Sequence, residues 1–258
     1  MRFALARGET RLADLHQVPP IRVLFPRPER GEPPLAALVN TAGGLAGGDA
    51  VEIAVAVGPG ARASVSTPAA EKVYRSLGPE TRVAARLDVA AGAALEWIPQ
   101  ETILFDGARL ARRFEAHLAP DAMLLMAEMI VFGRHARGEV LQAGTLLDTW
   151  RVHRGGALLW ADGVGLQGKI RARLEDPFGF AGAEAAATLL LAAQGPLTDA
   201  RDALRGAGVA ASLVRPGLLV ARWLGRAADL REGLGLAIRL LRREALGVPP
   251  VLPRLWTC

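Results

Sequence analysis

The decapeptide NTAGGLAGGD at residues 40–49 sets four glycines ahead of an acid, a composition that invites a phosphate loop. The chemistry does not follow. A Walker-type loop needs a lysine and a hydroxyl after its last glycine, to neutralise phosphate and hold magnesium. Here Gly48 is followed by Asp49. A dinucleotide turn needs glycines spaced two and three apart ahead of a helix, whereas position 45 is Leu and a strand pattern follows. The glycines fit a tight backbone crossing at the foot of a strand, where positive φ is wanted. Asp49 reads either as a turn cap or as a carboxylate lining a functional crevice.

Metal and nucleophile chemistry are as sparsely provided. His16, His117, His135 and His153 are never spaced two to four apart, so the zinc patterns are missing. The one cysteine, Cys258, excludes a disulfide or cysteine metal site within a single chain. The remaining hard ligands are Asp49, Glu71, Glu96, Glu101, Asp106, Glu128 and Glu139. Oxygen donors alone hold a late transition metal loosely, which suits a metal in transit better than a structural one. No G-x-S-x-G nucleophile motif occurs. Glu96, Glu101 and Asp106 cluster in EWIPQETILFDGAR, which leaves a hydrolytic β-solenoid with paired carboxylates as the alternative reading. The varied polar run STPAAEKVYRS (66–76) carries Lys72, Arg75 and the only tyrosine, Tyr74. Tyr and Arg are favoured interface anchors, so these three are candidates for partner binding; the bland reading is an amphipathic edge.

The elements that must position these groups are mostly strands. VEIAVAV places Val51, Ile53, Val55 and Val57 on one face, and RLARRFEAHL does the same with Leu110, Phe114 and Leu118. A weak repeat recurs at turns: VGPGA (57–61), VAAGA (89–93), LAPDA (118–122) and, with one residue inserted, VHRGGA (152–157), starting 32, 29 and 34 positions apart. Such spacing fits stacked β layers, as in a solenoid, and equally the hairpin turns of a sandwich. The last third changes character. TDARDALRGAG predicts a helix capped by Thr198, AASLVRPGLLVARWL a hairpin around Pro216-Gly217, and AADLREGLGLAIRLLRREALG a helix with Leu230, Leu234, Ile238, Leu241 and Ala245 on one stripe, stopped at Gly247. The sequence therefore predicts a single mainly β domain over residues 1–258 with two helices in its C-terminal third.

Composition narrows the partners. At 51% hydrophobic and 22% charged, the 258 residues can bury a sizeable core. The net charge of +5 comes from scattered arginines, with lysine only at 72 and 169, and aromatics are 5%. That is not the basic stripe with aromatics that a nucleic-acid surface needs. No apolar run reaches the length of a membrane span and the N-terminus has no secretory pattern, so a cytoplasmic location is expected. The apolar tail VLPRLWTC suggests a surface that a partner covers.

Four motifs, in order, resemble one family: NTAGGLAGGD, STPAAEKVYRS, LEWIPQETILFDGARL and GRHARGE (133–139) are similar to those of the urease accessory protein UreD family, called UreH in some organisms. RVHRGGALLW resembles its next strand pair. The resemblance implies a helical stack of strands with two helices, favouring the solenoid. It implies no catalysis and no tightly bound cofactor. It implies partnership with the urease apoprotein, with UreF and, through UreF, with the GTPase UreG, and transient nickel moving through a water-filled passage toward urease. Carried over motif by motif, it makes Asp49, Glu101 and Glu139 candidates to lie near that passage. Ser66 departs from the threonine that members often carry there.

Overall fold

The computed structural model describes residues 1–256; Cys258 lies outside the described residues. The chain begins with β1 (Arg2–Ala6), β2 (Glu9–Asp14), β3 (Ile21–Leu24), β4 (Leu35–Asn40), β5 (Ala50–Val57), β6 (Arg62–Ser66), β7 (Glu71–Val73) and β8 (Thr81–Val89). It continues through β9 (Ala94–Trp97), β10 (Thr102–Leu104), β11 (Arg109–Leu118), β12 (Met123–Phe132), β13 (Gly144–Arg154) and β14 (Ala157–Gly168). Helix α1 (Ile170–Glu175), β15 (Ala185–Ala192), α2 (Thr198–Gly206), β16 (Ala211–Arg215), β17 (Leu218–Gly225) and α3 (Ala227–Leu241) complete it.

The strands form two sheets, ordered β14-β13-β11-β8-β5-β1-β2 and β16-β17-β15-β12-β9-β6-β4-β3. At the centre of each the pairing is parallel: β5, β8, β11 and β13 in the first, β4, β6, β9 and β12 in the second. Parallel neighbours cannot be joined by a tight hairpin. The chain therefore crosses to the facing sheet and returns one layer on, winding a β-solenoid of about 4 turns. Short β7 and β10 pair with each other in parallel on the connecting wall. This decides between the solenoid and the sandwich that period-two patterning left open.

The repeated turns are the corners of this winding. Gly60 and Gly92 adopt positive φ there, and Ala61, Ala93 and Ala122 are fully buried where the chain enters the second sheet. Only a small side chain fits so close to the neighbouring coil. At the fourth copy, with its inserted residue, the chain turns back as the β13–β14 hairpin, and Ala157 is exposed. Antiparallel strands β2, β3, β14 and β16 close the sheet ends.

Alternation drives the packing. The inward faces meet in a core containing Val55, Leu87, Leu95, Trp97, Phe114, Leu124, Met126 and Trp150. Trp97, Phe114, Trp150 and Trp160 form a run of edge-to-face contacts with centroids 5.9, 5.4 and 5.7 Å apart. The outer face of the second sheet is also apolar, and α2 and α3 cover it: Leu125, Leu189 and Leu191 lie under Leu204, Leu234 and Ile238. Each such side chain contributes about 1.5–3 kcal/mol on burial.

Several expectations are corrected. Among the described residues, a short helix α1 stands beside the two expected ones, too short to show a helical period. Helix α2 starts at Thr198 itself, Leu197 holds the cap position, and no side chain caps it. Helix α3 runs on through a wider turn, Arg242–Leu246, and ends at Gly247 in the left-handed conformation, as the sequence indicates. The tail is not an open apolar surface. Trp256 is buried and donates Nε1–H to Ile98 O at 3.0 Å. Gln100 binds Leu255 O, and Arg231 binds Trp256 O at 3.1 Å.

Candidate functional site

Inward positions of a two-sheet core are normally apolar, because an unpaired polar group there costs several kcal/mol. Three charged side chains break the rule together. Arg112 shares the inward phase of Leu110 and Phe114 on β11; Asp148 shares that of Leu146 and Trp150 on β13. The parallel register puts Arg112 directly beside Asp148. Glu128 reaches across from β12 in the facing sheet. Arg112 is 5% exposed, Glu128 5% and Asp148 7%.

The guanidinium uses four of its five N–H donors. Arg112 donates Nε–H and Nη2–H to the two oxygens of Asp148, both at 2.9 Å. Its Nη1 donates to Glu128 Oε2 at 2.7 Å and to Thr102 Oγ1 at 3.1 Å. Phe114 presents its ring 4.9 Å from the guanidinium carbon. The second oxygen of Glu128 accepts from Trp97 Nε1–H at 2.7 Å, and Trp150 Nε1–H points to Asp148 at 3.4 Å. Burial pushes the Glu128 carboxyl up to about 7, although Arg112 and Trp97 both favour its charged form. The two carboxylates hold Arg112 above its ordinary range despite burial, so it stays charged.

Two cavities share wall residues with this cluster. One, of about 90 Å³, is walled by Asn40, Glu71, Gln100, Thr102, Arg112 and Glu128 among apolar neighbours. The other, of about 450 Å³, is walled by Glu128, Asp148, Trp150, Asp162, Thr188 and Arg222, again with apolar neighbours. Either exceeds the roughly 10–15 Å³ that one water requires, and both carry the polar partners a water needs. Glu128 belongs to both walls, so the cavities meet at the cluster. Toward the outer part of the smaller cavity, Asn40 Nδ2 donates to both oxygens of Glu71 at 3.1 and 3.2 Å. Burial raises the Glu71 pKa.

Asp49, Glu101 and Glu139 line neither cavity. Asp49 is exposed and accepts from Ala46 N–H at 2.7 Å, closing the glycine turn. Glu101 pairs with Arg231 of α3, and Glu139 with Arg134 while also accepting from Asp106 N–H at 3.2 Å. Arg134 holds the Glu139 carboxyl below the usual range. The carboxylates of the alternative hydrolase are each tied to a different partner: Glu96 to Arg242, Glu101 to Arg231, and Asp106 to the Gln142 and Ala143 N–H groups at 2.8 and 3.1 Å.

Lys72 and Arg75 are exposed, next to the almost fully exposed Leu77. Tyr74 between them is half-buried. Its hydroxyl donates to Gly43 O at 2.9 Å and its ring meets Phe105 edge-on. That contact explains the glycine cluster: a Cβ on Gly44 would lie 2.6 Å from the Tyr74 ring, and one on Gly47 would lie 2.1 Å from Ser76 Oγ. The two quoted segments are two sides of one packed corner.

Among the described residues, no group of three or more His, Cys, Asp or Glu side chains could hold a metal. Parallel register stacks His117 on His153, centroids 5.0 Å apart, though 36 positions separate them in sequence. Among the described residues, no helix is long and apolar enough to cross a membrane.

Residues 1–257 match the family described as UreD urease accessory protein. The urease accessory protein UreD of Magnetococcus marinus is 46% identical over 98% of this chain and 91% of its own length. That of Granulibacter bethesdensis is 49% identical over 91% of this chain and 99% of its own, and that of a Methylobacterium strain 47% over 98% and 90%.

Proposed function

We infer, for a chain that belongs to the family of UreD urease accessory proteins, that its part in urease maturation is to hold the urease apoprotein beside UreF and UreG and to let nickel pass through its interior. The observation carrying this is the pair of cavities between the sheets, meeting at buried carboxylates. Oxygen ligands in small number bind nickel loosely enough to release it. Glu71, Glu128 and Asp148 are the groups we assign to the passage, in place of Asp49, Glu101 and Glu139, whose partners lie elsewhere. Lys72, Arg75 and Leu77 form the exposed segment we assign to a protein partner, with Tyr74 bracing it from below. Nickel is cargo here, and the chain performs no bond chemistry.

The test is complementation of urease-positive cells that lack this chain, with urease nickel content and co-purification measured separately. Thr188→Trp, which fills the larger cavity beside Glu128, is expected to leave UreF and urease co-purifying while nickel in urease falls at least severalfold. Normal nickel loading in the deletion strain would end the maturation role. Normal loading by a folded Thr188→Trp chain would end the passage.

A further inference from the structure

Arg112 lines the smaller cavity, Asp148 lines the larger, and Glu128 lines both. The Arg112 side chain thus stands in the partition between them. Its bonds to Asp148, Glu128 and Thr102 account for most of its five N–H donors. The oxygens that converge on it are the kind that bind a divalent cation. Two carboxylates surround one guanidinium, so the partition has room in charge for a cation of higher valence.

We propose that Arg112 is the gate of the passage, a resident cation that a travelling divalent ion must displace to move from one cavity to the other. This rests on the passage reading above. When Arg112 bridges Glu128 and Asp148, their oxygens are occupied and like charge repels an incoming ion. When its side chain swings away, Glu128, Asp148 and the Thr102 hydroxyl face the space it leaves, and the two cavities join. The bidentate bond to Asp148 makes Asp148 the hinge partner; Glu128, already held by Trp97, is the fixed wall.

The experiment uses the purified full chain and Mn2+, an oxygen-preferring ion read by the electron paramagnetic resonance signal of its free form. Arg112→Met is expected to bind Mn2+ at least about a hundredfold more tightly than wild type, the order set by removing a like charge a few ångströms away at moderate effective dielectric. Adding Asp148→Asn is expected to return affinity to the wild-type level. Circular dichroism checks the fold, because Arg112→Met leaves two buried carboxylates without their cation. Should it unfold, Arg112→Lys decides. Lysine keeps the charge but cannot span both carboxylates, and a gain of about tenfold is expected. A folded variant binding Mn2+ no tighter than wild type overturns the gate, as does a gain that survives Asp148→Asn. Because no urease is present, the two readings fail separately: unchanged Mn2+ binding removes the gate alone, and normal nickel loading in cells lacking the chain removes its cargo alone.

Discussion

Glu96 should make this fold lose stability as pH rises across the range where most proteins are steady. The residue sits on β9, 1% exposed, on the outer face of the second sheet beneath the end of α3. Its ion-pair partner is Arg242, with Nε 3.3 Å from Oε1. Arg242 is committed elsewhere, donating to Val251 O at 2.7 Å and Glu32 at 2.6 Å. Neither oxygen of Glu96 accepts a hydrogen bond of good geometry, although Ser64 stands beside it in register. Burial therefore dominates and lifts its carboxyl from 4.5 to about 7; Arg242 opposes this without cancelling it, and Glu32 adds to it.

A carboxyl raised in the folded state holds a proton that the unfolded chain has already released. The folded state is thus favoured at low pH, and that advantage is lost as pH rises from the unfolded value through about 7. The shift corresponds to about 3 kcal/mol, with no discount for screening because the group is buried. Glu96→Gln mimics the neutral acid at every pH. Urea denaturation at pH 5 and pH 8 should show the variant matching wild type within about 1 kcal/mol at the lower pH and exceeding it by about 3 kcal/mol at the higher. Glu128, raised for the same reason, contributes a parallel slope that both proteins share. A difference between variant and wild type that does not change with pH would refute the assignment.

Trp256→Ala removes an indole packed against the helices and its bond to Ile98; a loss of about 3–5 kcal/mol is expected in chemical denaturation, and a loss below 1 would mean the tail is not part of the core. Gly44→Ala pushes a methyl into the Tyr74 ring and should cost about 1–3 kcal/mol. Combining it with Tyr74→Ala should cost less than the sum of the two, and strict additivity in thermal melts would show that the corner is not packed as described.

The strands of the first two-thirds were legible because each inward face keeps its phase: Val55 and Val57 on β5, Leu110, Phe114 and Leu118 on β11. The solenoid was half-legible. The corner repeat marks the coils, but a sandwich turn uses the same residues, and only the parallel register separates the two. Glu128 was among the candidate ligands, but Arg112, Asp148 and their union with it were missed although the signal was present. Arg112, Glu128 and Asp148 each stand in phase with apolar neighbours, two positions from a Phe, a Met or a Trp. A charge in the apolar phase of a strand is a stronger clue than a charge in a glycine-rich motif. The motifs of the resemblance pointed instead to Asp49, Glu101 and Glu139; Asp49 and Glu139 bind close sequence neighbours, Ala46 and Arg134, and only Glu101 meets a partner far along the chain, Arg231 on α3.

The winding also explains why such a cluster can exist at all. In parallel, in-register coils, a residue meets the equivalent position of the next coil, so an inward charge on β11 is presented to an inward position on β13 without any adjustment of backbone. An acid at position 148 therefore meets Arg112 side by side, and the facing sheet needs to add only Glu128. Replacing a buried ion pair or triad by apolar residues of similar volume is often neutral or stabilising. Fold stability alone does not account for these three charges. In the passage proposed above, their position between cavities of about 90 and 450 Å³ would serve to exchange an ion rather than merely bury one.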